Sequence, residues 1–171
     1  MKASMVLALA LFAPQGAELG KEVTLKVKAI DGKEYDVAAL AKEGKVVAIV
    51  SWSVDCPSGK VAIPRATAIA KKFEGNDKVV FIGVCSYGDG EKTLADYVKE
   101  NKIAYPICHD GDKKIGKALG AKRVNSAYVI GGGKLFWHGG MKLKGGDGMD
   151  KAIEAALAGK EAPPSGSKFD G

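Results

Sequence analysis

KVVAIVSWSVDCPSGKVAIPRATAIAKKF, residues 45–73, is the stretch on which the reading of this chain turns. Val46 to Val50 is short, apolar and rich in β-branched residues, bounded by Gly44 and Ser51, and reads as a strand buried on both faces of a parallel sheet. Past its end, Trp52-Ser53-Val54-Asp55-Cys56-Pro57 leads into Ser58 to Phe73, where Val61, Ala62, Ala66, Ile69, Ala70 and Phe73 recur at helical spacing. Pro57 suits the first turn of that helix, which leaves Cys56 as its cap. Free backbone N–H groups and the positive end of a helix dipole favour a thiolate there, the usual way a sulfur nucleophile is made.

Working outward, Glu22 to Ile30 alternates apolar and polar residues, and Asp31-Gly32-Lys33 turns it back toward Tyr35 and Val37, which predicts a hairpin. Val37 to Lys42 is expected to make one helical turn. After the cysteine helix, Val79 to Cys85 is a second buried strand, so the unit is strand, helix, strand, with right-handed parallel pairing. Cys56 and Cys85 then share one sheet edge, where open α/β sheets usually keep their chemistry. Glu91 to Asn101 predicts a helix, Tyr105 to Asp110 a short extended piece that carries Cys108 to the same edge, and Lys113 to Leu119 another helix. Val124 to Ile130, Gly131-Gly132-Gly133 and Lys134 to His138 form an antiparallel hairpin, 139–148 a glycine-rich loop, and Met149 to Leu157 the closing helix. Gly131 to Gly133 precedes no helix and is a turn, not a phosphate loop.

These features carry a resemblance. Trp52 four places before the cysteine, Pro57 after it, Lys60 at the fourth following place and Pro64 at the eighth are similar to the redoxins, the alkyl-hydroperoxide-reductase (peroxiredoxin) and TlpA-like families of the thioredoxin superfamily. The Asp-Gly-Lys hairpin upstream and the Tyr-Pro-Ile segment ending in Asp110 match as well. The resemblance implies a thioredoxin-like α/β fold: a central mixed sheet flanked by helices, with an N-terminal β-hairpin extension. The sequence departs from the family at three places. Gly59 stands where a second cysteine would complete an exchange pair, Ala62 where an acidic residue would stand, and Asn125 where a cis-proline would face the cysteine. A cis bond before a non-proline residue costs about 2.5–4 kcal/mol, so Val124-Asn125 is expected to be trans and its loop reshaped. Ser53 takes the place of the peroxiredoxin threonine that orients a peroxide, while Ile49 replaces the upstream proline of that motif.

The chain has 171 residues, 46% hydrophobic and 27% charged, which suits one globular domain over 18–160 with its own core. Residues 1–17, with Lys2 and an apolar run from Met5 to Ala13, read as a secretory signal peptide, and 161–171 as a disordered tail. The expected location is therefore periplasmic or secreted, with no membrane span in the mature form. The net charge of +6 comes from lysines spread along the chain, without the basic, aromatic-interleaved patch that nucleic-acid binding needs.

The candidate catalytic residues are Cys56, Ser53 and Trp52. Pro57 and Lys60 at the helix start and Asn125 in the opposing loop are candidate substrate-facing positions. Cys85 and Cys108 read as inert core, as a structural disulfide, or one of them as a resolving thiol. Cys108-His109-Asp110 is no metal cluster, because neighbours in extended chain point to opposite faces. The implied activity is thiol-disulfide exchange or antioxidant peroxide reduction through one cysteine. Its substrate would be a protein thiol or disulfide, or a small peroxide, with an external thiol as reductant and no organic cofactor or metal. The competing reading is a redox-inactive thioredoxin-like binding or structural module.

Overall fold

The computed structural model describes residues 16–86, 90–121, 124–141 and 148–165. Most of the expected signal peptide, residues 142–147 of the glycine-rich loop and the tail from 166 lie outside them. A five-stranded mixed sheet forms the centre, in the order β5(Ile107–His109)-β4(Val79–Cys85)-β3(Val46–Trp52)-β6(Ser126–Gly131)-β7(Lys134–Gly140). β3 runs parallel to β4, β4 parallel to β5, and β6 and β7 are antiparallel. Every residue of β3 is buried, as its unbroken apolar run demands of a strand covered on both faces.

One face packs against α2(Pro57–Lys72), α3(Glu91–Glu100) and α5(Met149–Leu157). Val46, Ala48, Val50 and Trp52 of β3 meet Ile63, Ala66 and Ile69 of α2, Leu94 of α3 and Ile153 of α5 there. The other face, carrying Val47 and Ile49, packs on α1(Val37–Lys42) and α4(Lys114–Ala118) through Val37, Ile115 and Leu119. Lys72 Nζ ties α2 to α5 by lying 2.8 Å from both Asp150 Oδ2 and Glu154 Oε1. The hydrogen bond to Asp150 raises the ammonium pKa above its ordinary value.

The hairpin β1(Lys26–Lys28)-β2(Glu34–Asp36) is shorter than the alternation from Glu22 suggested, because Glu22 and Val23 bond instead to Lys134 and Gly133 at the start of β7, and Val37 starts α1 as expected. Asp36 caps that helix by accepting the Ala39 N–H at 3.0 Å. The hairpin covers one sheet edge, where the Ile30 N–H donates to the Ile107 carbonyl and Ala29 bridges Cys108. Residues 20–23 cover part of the other, through Gly20 N–H to Leu135 O and Val23 N–H to Gly133 O. Edges protected in this way resist pairing with further chains.

Three boundaries differ from the sequence expectation. β7 continues through Gly139 and Gly140, so those glycines belong to strand. Packing starts before residue 18: the Ala17 N–H donates to the Ala118 carbonyl at 2.8 Å, and Gly16 lies so close to Gly120 that a Cβ would come within 2.3 Å of its Cα. At the other end, residues 161–165 have no regular structure, yet the Trp137 indole N–H donates to the Pro164 carbonyl at 3.3 Å.

Candidate functional site

β3 delivers the chain to the sheet edge at Trp52, and a three-residue loop carries it to Cys56 and α2. In that loop the Ser53 hydroxyl accepts the Asp55 N–H at 3.2 Å, a local turn of the kind serine favours. Cys56 is the N-cap of α2, with extended φ −93° and ψ 127°, and Pro57 opens the helix. The Cys56 side chain makes no capping bond to the helix amides. Its sulfur lies 3.0 Å from Ser58 Oγ and is partly exposed, at the end of a 16-residue helix with no acidic residue in its first turn. Helix polarity there favours negative charge.

No disulfide joins any two of the three cysteines. Cys85 pairs in register with Trp52 on one side and His109 on the other, and packs on the α2 face. Cys108 pairs with Val84 and packs on the α4 face. Paired residues share a face and successive residues alternate, so Cys85 and Cys108 point to opposite sides of the sheet. The edge disulfide, one of the three readings of this pair, would require a one-residue register slip. Both are sealed from solvent, Cys85 at 1% and Cys108 at 0% exposure. Burial, with Asp31 and Asp110 adding to it, pushes the Cys108 thiol up to about 12.

Other expected site residues are placed differently from what a surface cluster requires. Trp52 and Ser53 are fully buried, so Trp52 is a core residue and Ser53 does not present its hydroxyl to solvent. Lys60 lies in α2, but its side chain is outside the described part of the structure. Asn125 adopts left-handed φ 71° on a trans peptide bond; its N–H donates to Ser51 O at 2.8 Å and its carbonyl accepts the Met141 N–H at 3.1 Å. It therefore stands beside the end of β3, on the edge that carries Cys56, and displaces the start of β6 to Ser126. His109 and Cys108 diverge as alternation requires, and among the described residues no group of His, Cys, Asp or Glu could hold a metal ion. Asp110 is 2% exposed and structural: its carboxylate accepts the Ile115 N–H at 2.9 Å, the Gly116 N–H at 2.8 Å and the Ser86 hydroxyl at 2.7 Å.

Two residues that the sequence did not single out for these roles shape the site. Ser58 touches the sulfur. Gly59 is pressed against the loop so closely that a Cβ would lie 1.8 Å from the Ser53 carbonyl oxygen. Position 59 therefore lacks a second thiol and, as folded, has no room for any side chain. The Cys-Pro-Ser-Gly order was visible, but the approach of helix to loop is a tertiary contact with no local signature.

The AhpC/TSA family profile matches residues 19–137. No curated protein sequence matches this chain. Among solved structures, the chain is similar to a hypothetical protein from Sinorhizobium meliloti 1021, with TM-score 0.73 and 16% identity over 89% of this chain and 91% of that one. It is also similar to a thiol:disulfide interchange protein of the thioredoxin family from Chlorobium tepidum TLS, with TM-score 0.66 and 19% identity over 82% and 98%. A secreted disulfide oxidoreductase of Mycobacterium tuberculosis matches with TM-score 0.61 and 15% identity over 80% and 96%. At such identities the likeness establishes the shared fold.

Proposed function

Because this chain belongs to the AhpC/TSA family, redoxins of the thioredoxin superfamily, we propose that Cys56 is its redox-active thiol and that it works alone, by exchange with disulfides of protein partners. The observation that carries this reading is the contrast among the three sulfurs. Cys56 is partly exposed at the head of α2, while Cys85 and Cys108 are sealed in the core and position 59 admits no side chain. The Cys56 thiolate attacks one sulfur of a partner disulfide, the old S–S bond breaks, and the departing thiolate takes up a proton. The resulting mixed disulfide cannot be cleared from within the chain, so an external thiolate attacks it, releases Cys56 and carries the bond away.

The family match also supports a second reading, reduction of a small peroxide. There the thiolate attacks one peroxide oxygen, the O–O bond breaks, an alcohol or water leaves with a proton, and Cys56 becomes a sulfenic acid that external thiols reduce. The buried Ser53 weighs against it, since that hydroxyl is turned to the Asp55 amide. An exported protein suits either chemistry. The apolar run from Met5 to Ala13 and the secreted Mycobacterium relative of the same fold support that location, and no described helix is long and apolar enough to cross a membrane.

Incubation of the full chain with glutathione disulfide tests the proposal. One glutathione should appear on Cys56, be removed by dithiothreitol, and be absent in Cys56→Ser. An unmodified protein, or an adduct on Cys85 or Cys108, would favour the redox-inactive module instead.

A further inference from the structure

We propose that Ser58 is a positioning residue for the Cys56 thiolate, its hydroxyl donating to the sulfur where the helix start is short of amide donors. The inference rests on the reading of Cys56 as the reactive thiol. A helix N-terminus ordinarily offers an anion its first few backbone N–H groups. In α2 the first residue is Pro57, which has no N–H, and the Gly59 N–H is occupied by the Cys56 carbonyl at 2.8 Å. Two of the donors that would otherwise face the sulfur are thus missing or engaged. The Ser58 side chain, one residue into the helix beyond Pro57, brings its oxygen to 3.0 Å from Cys56 Sγ and is exposed.

With a neutral thiol either atom of this pair can donate. With a thiolate only the hydroxyl can, so the bond selects the charged form, which is how a hydrogen bond to an ionised group favours ionisation. The exposure of Ser58 also means that removing its hydroxyl leaves no buried cavity and no orphaned core group, so an effect on the sulfur is separable from an effect on folding.

The test is the rate of Cys56 carboxamidomethylation by iodoacetamide, followed by mass spectrometry from pH 5 to 10, in the full chain and in Ser58→Ala and Ser58→Thr, with melting temperatures measured in parallel. Ser58→Ala should slow the reaction at pH 7 by about three- to tenfold, as loss of one charge-assisted hydrogen bond at an exposed site predicts. Its rate–pH curve should move to higher pH while reaching the same alkaline plateau, with melting unchanged. Ser58→Thr, which keeps the hydroxyl, should restore most of the rate at pH 7. Superimposable curves for the unaltered chain and Ser58→Ala, or a threonine variant as slow as the alanine one, would overturn the role of Ser58 alone. A Cys56 in the unaltered chain no faster than free cysteine would overturn the parent reading, and this proposal with it.

Discussion

Replacing Gly59 with alanine should destabilise the protein, although at most helical positions the same change stabilises. A glycine within a helix costs about 0.5–1 kcal/mol relative to alanine, so in open space the substitution would raise the melting temperature. Here the new Cβ would lie 1.8 Å from the Ser53 carbonyl oxygen and 2.9 Å from its carbon. Real contacts of this kind hardly ever fall below 3.0 Å, so loop and helix must part by more than 1 Å. The atoms met are backbone, which cannot swing aside as a flexible side chain would, and overpacking of this sort costs typically about 1–3 kcal/mol. Allowing for the helix-propensity gain, the net loss should be about 0.5–2 kcal/mol, or roughly 2–6 °C in melting temperature for a domain of this size. Thermal unfolding followed by circular dichroism measures it directly. Because the parting moves the loop that aims Cys56, the iodoacetamide rate at Cys56 should change in the same variant. Gly59→Cys should likewise fold without an intramolecular bond between Cys56 and the introduced thiol under mild oxidation. A Gly59→Ala protein more stable than the original, with unaltered Cys56 reactivity, would refute the account of a closed loop at position 59.

Other outcomes follow from the core. Asp110→Ala removes a buried carboxylate that accepts three hydrogen bonds and strands the donors of Ile115, Gly116 and Ser86. The expected loss is roughly 2–4 kcal/mol in urea unfolding, and a change under about 0.5 kcal/mol would contradict the assigned role. Alkaline stability should fall from about pH 9. Burial raises the Cys108 thiol from an ordinary 9.0 to about 12 and the Tyr105 phenol from 10.0 to about 12, so the folded state holds both protons more tightly than the unfolded state. That contribution is fully present below the unfolded values and is lost as pH climbs through them toward the folded ones, at about 1.4 kcal/mol per pH unit for each group. Urea midpoints at pH 8 to 11 should decline accordingly, with a shallower decline between pH 9 and 10 in Cys108→Ala. A midpoint constant to pH 11 would show that neither group is sealed as described.

The fold was largely legible in the sequence because its signals are local and strong. The run Val46–Val50 could only be satisfied by cover on both faces, Pro57 fixed the helix start, and Asp31-Gly32-Lys33 fixed the hairpin. The position of Cys56 at the N-cap was legible for the same reason. What escaped depends on register and approach. Cys85 and Cys108 share an edge, but which face each takes depends on the pairing of β4 with β5, and a one-residue difference reverses the answer. On α2, Val61 fits the helical spacing yet is 49% exposed, while Ile63 at 3% is the inward residue, because the orientation of the stripe is set by the sheet beneath. Ser53 could be aligned with a peroxide-orienting threonine, whereas its burial is a matter of tertiary packing, with Gly59 seated close against its carbonyl.

A native-state competition among the three sulfurs tests the central claim most directly. The full chain is reduced, then exposed for short times at pH 7 to a substoichiometric labelled alkylating agent, quenched, unfolded, blocked with a second label and mapped by peptide mass spectrometry. With Cys56 partly exposed and the other two at 1% and 0%, the account predicts that Cys56 is labelled at least about 100-fold faster than Cys85 or Cys108, which react only at the rate of unfolding. Comparable labelling of Cys85 or Cys108, or a Cys56 as slow as they are, would contradict it.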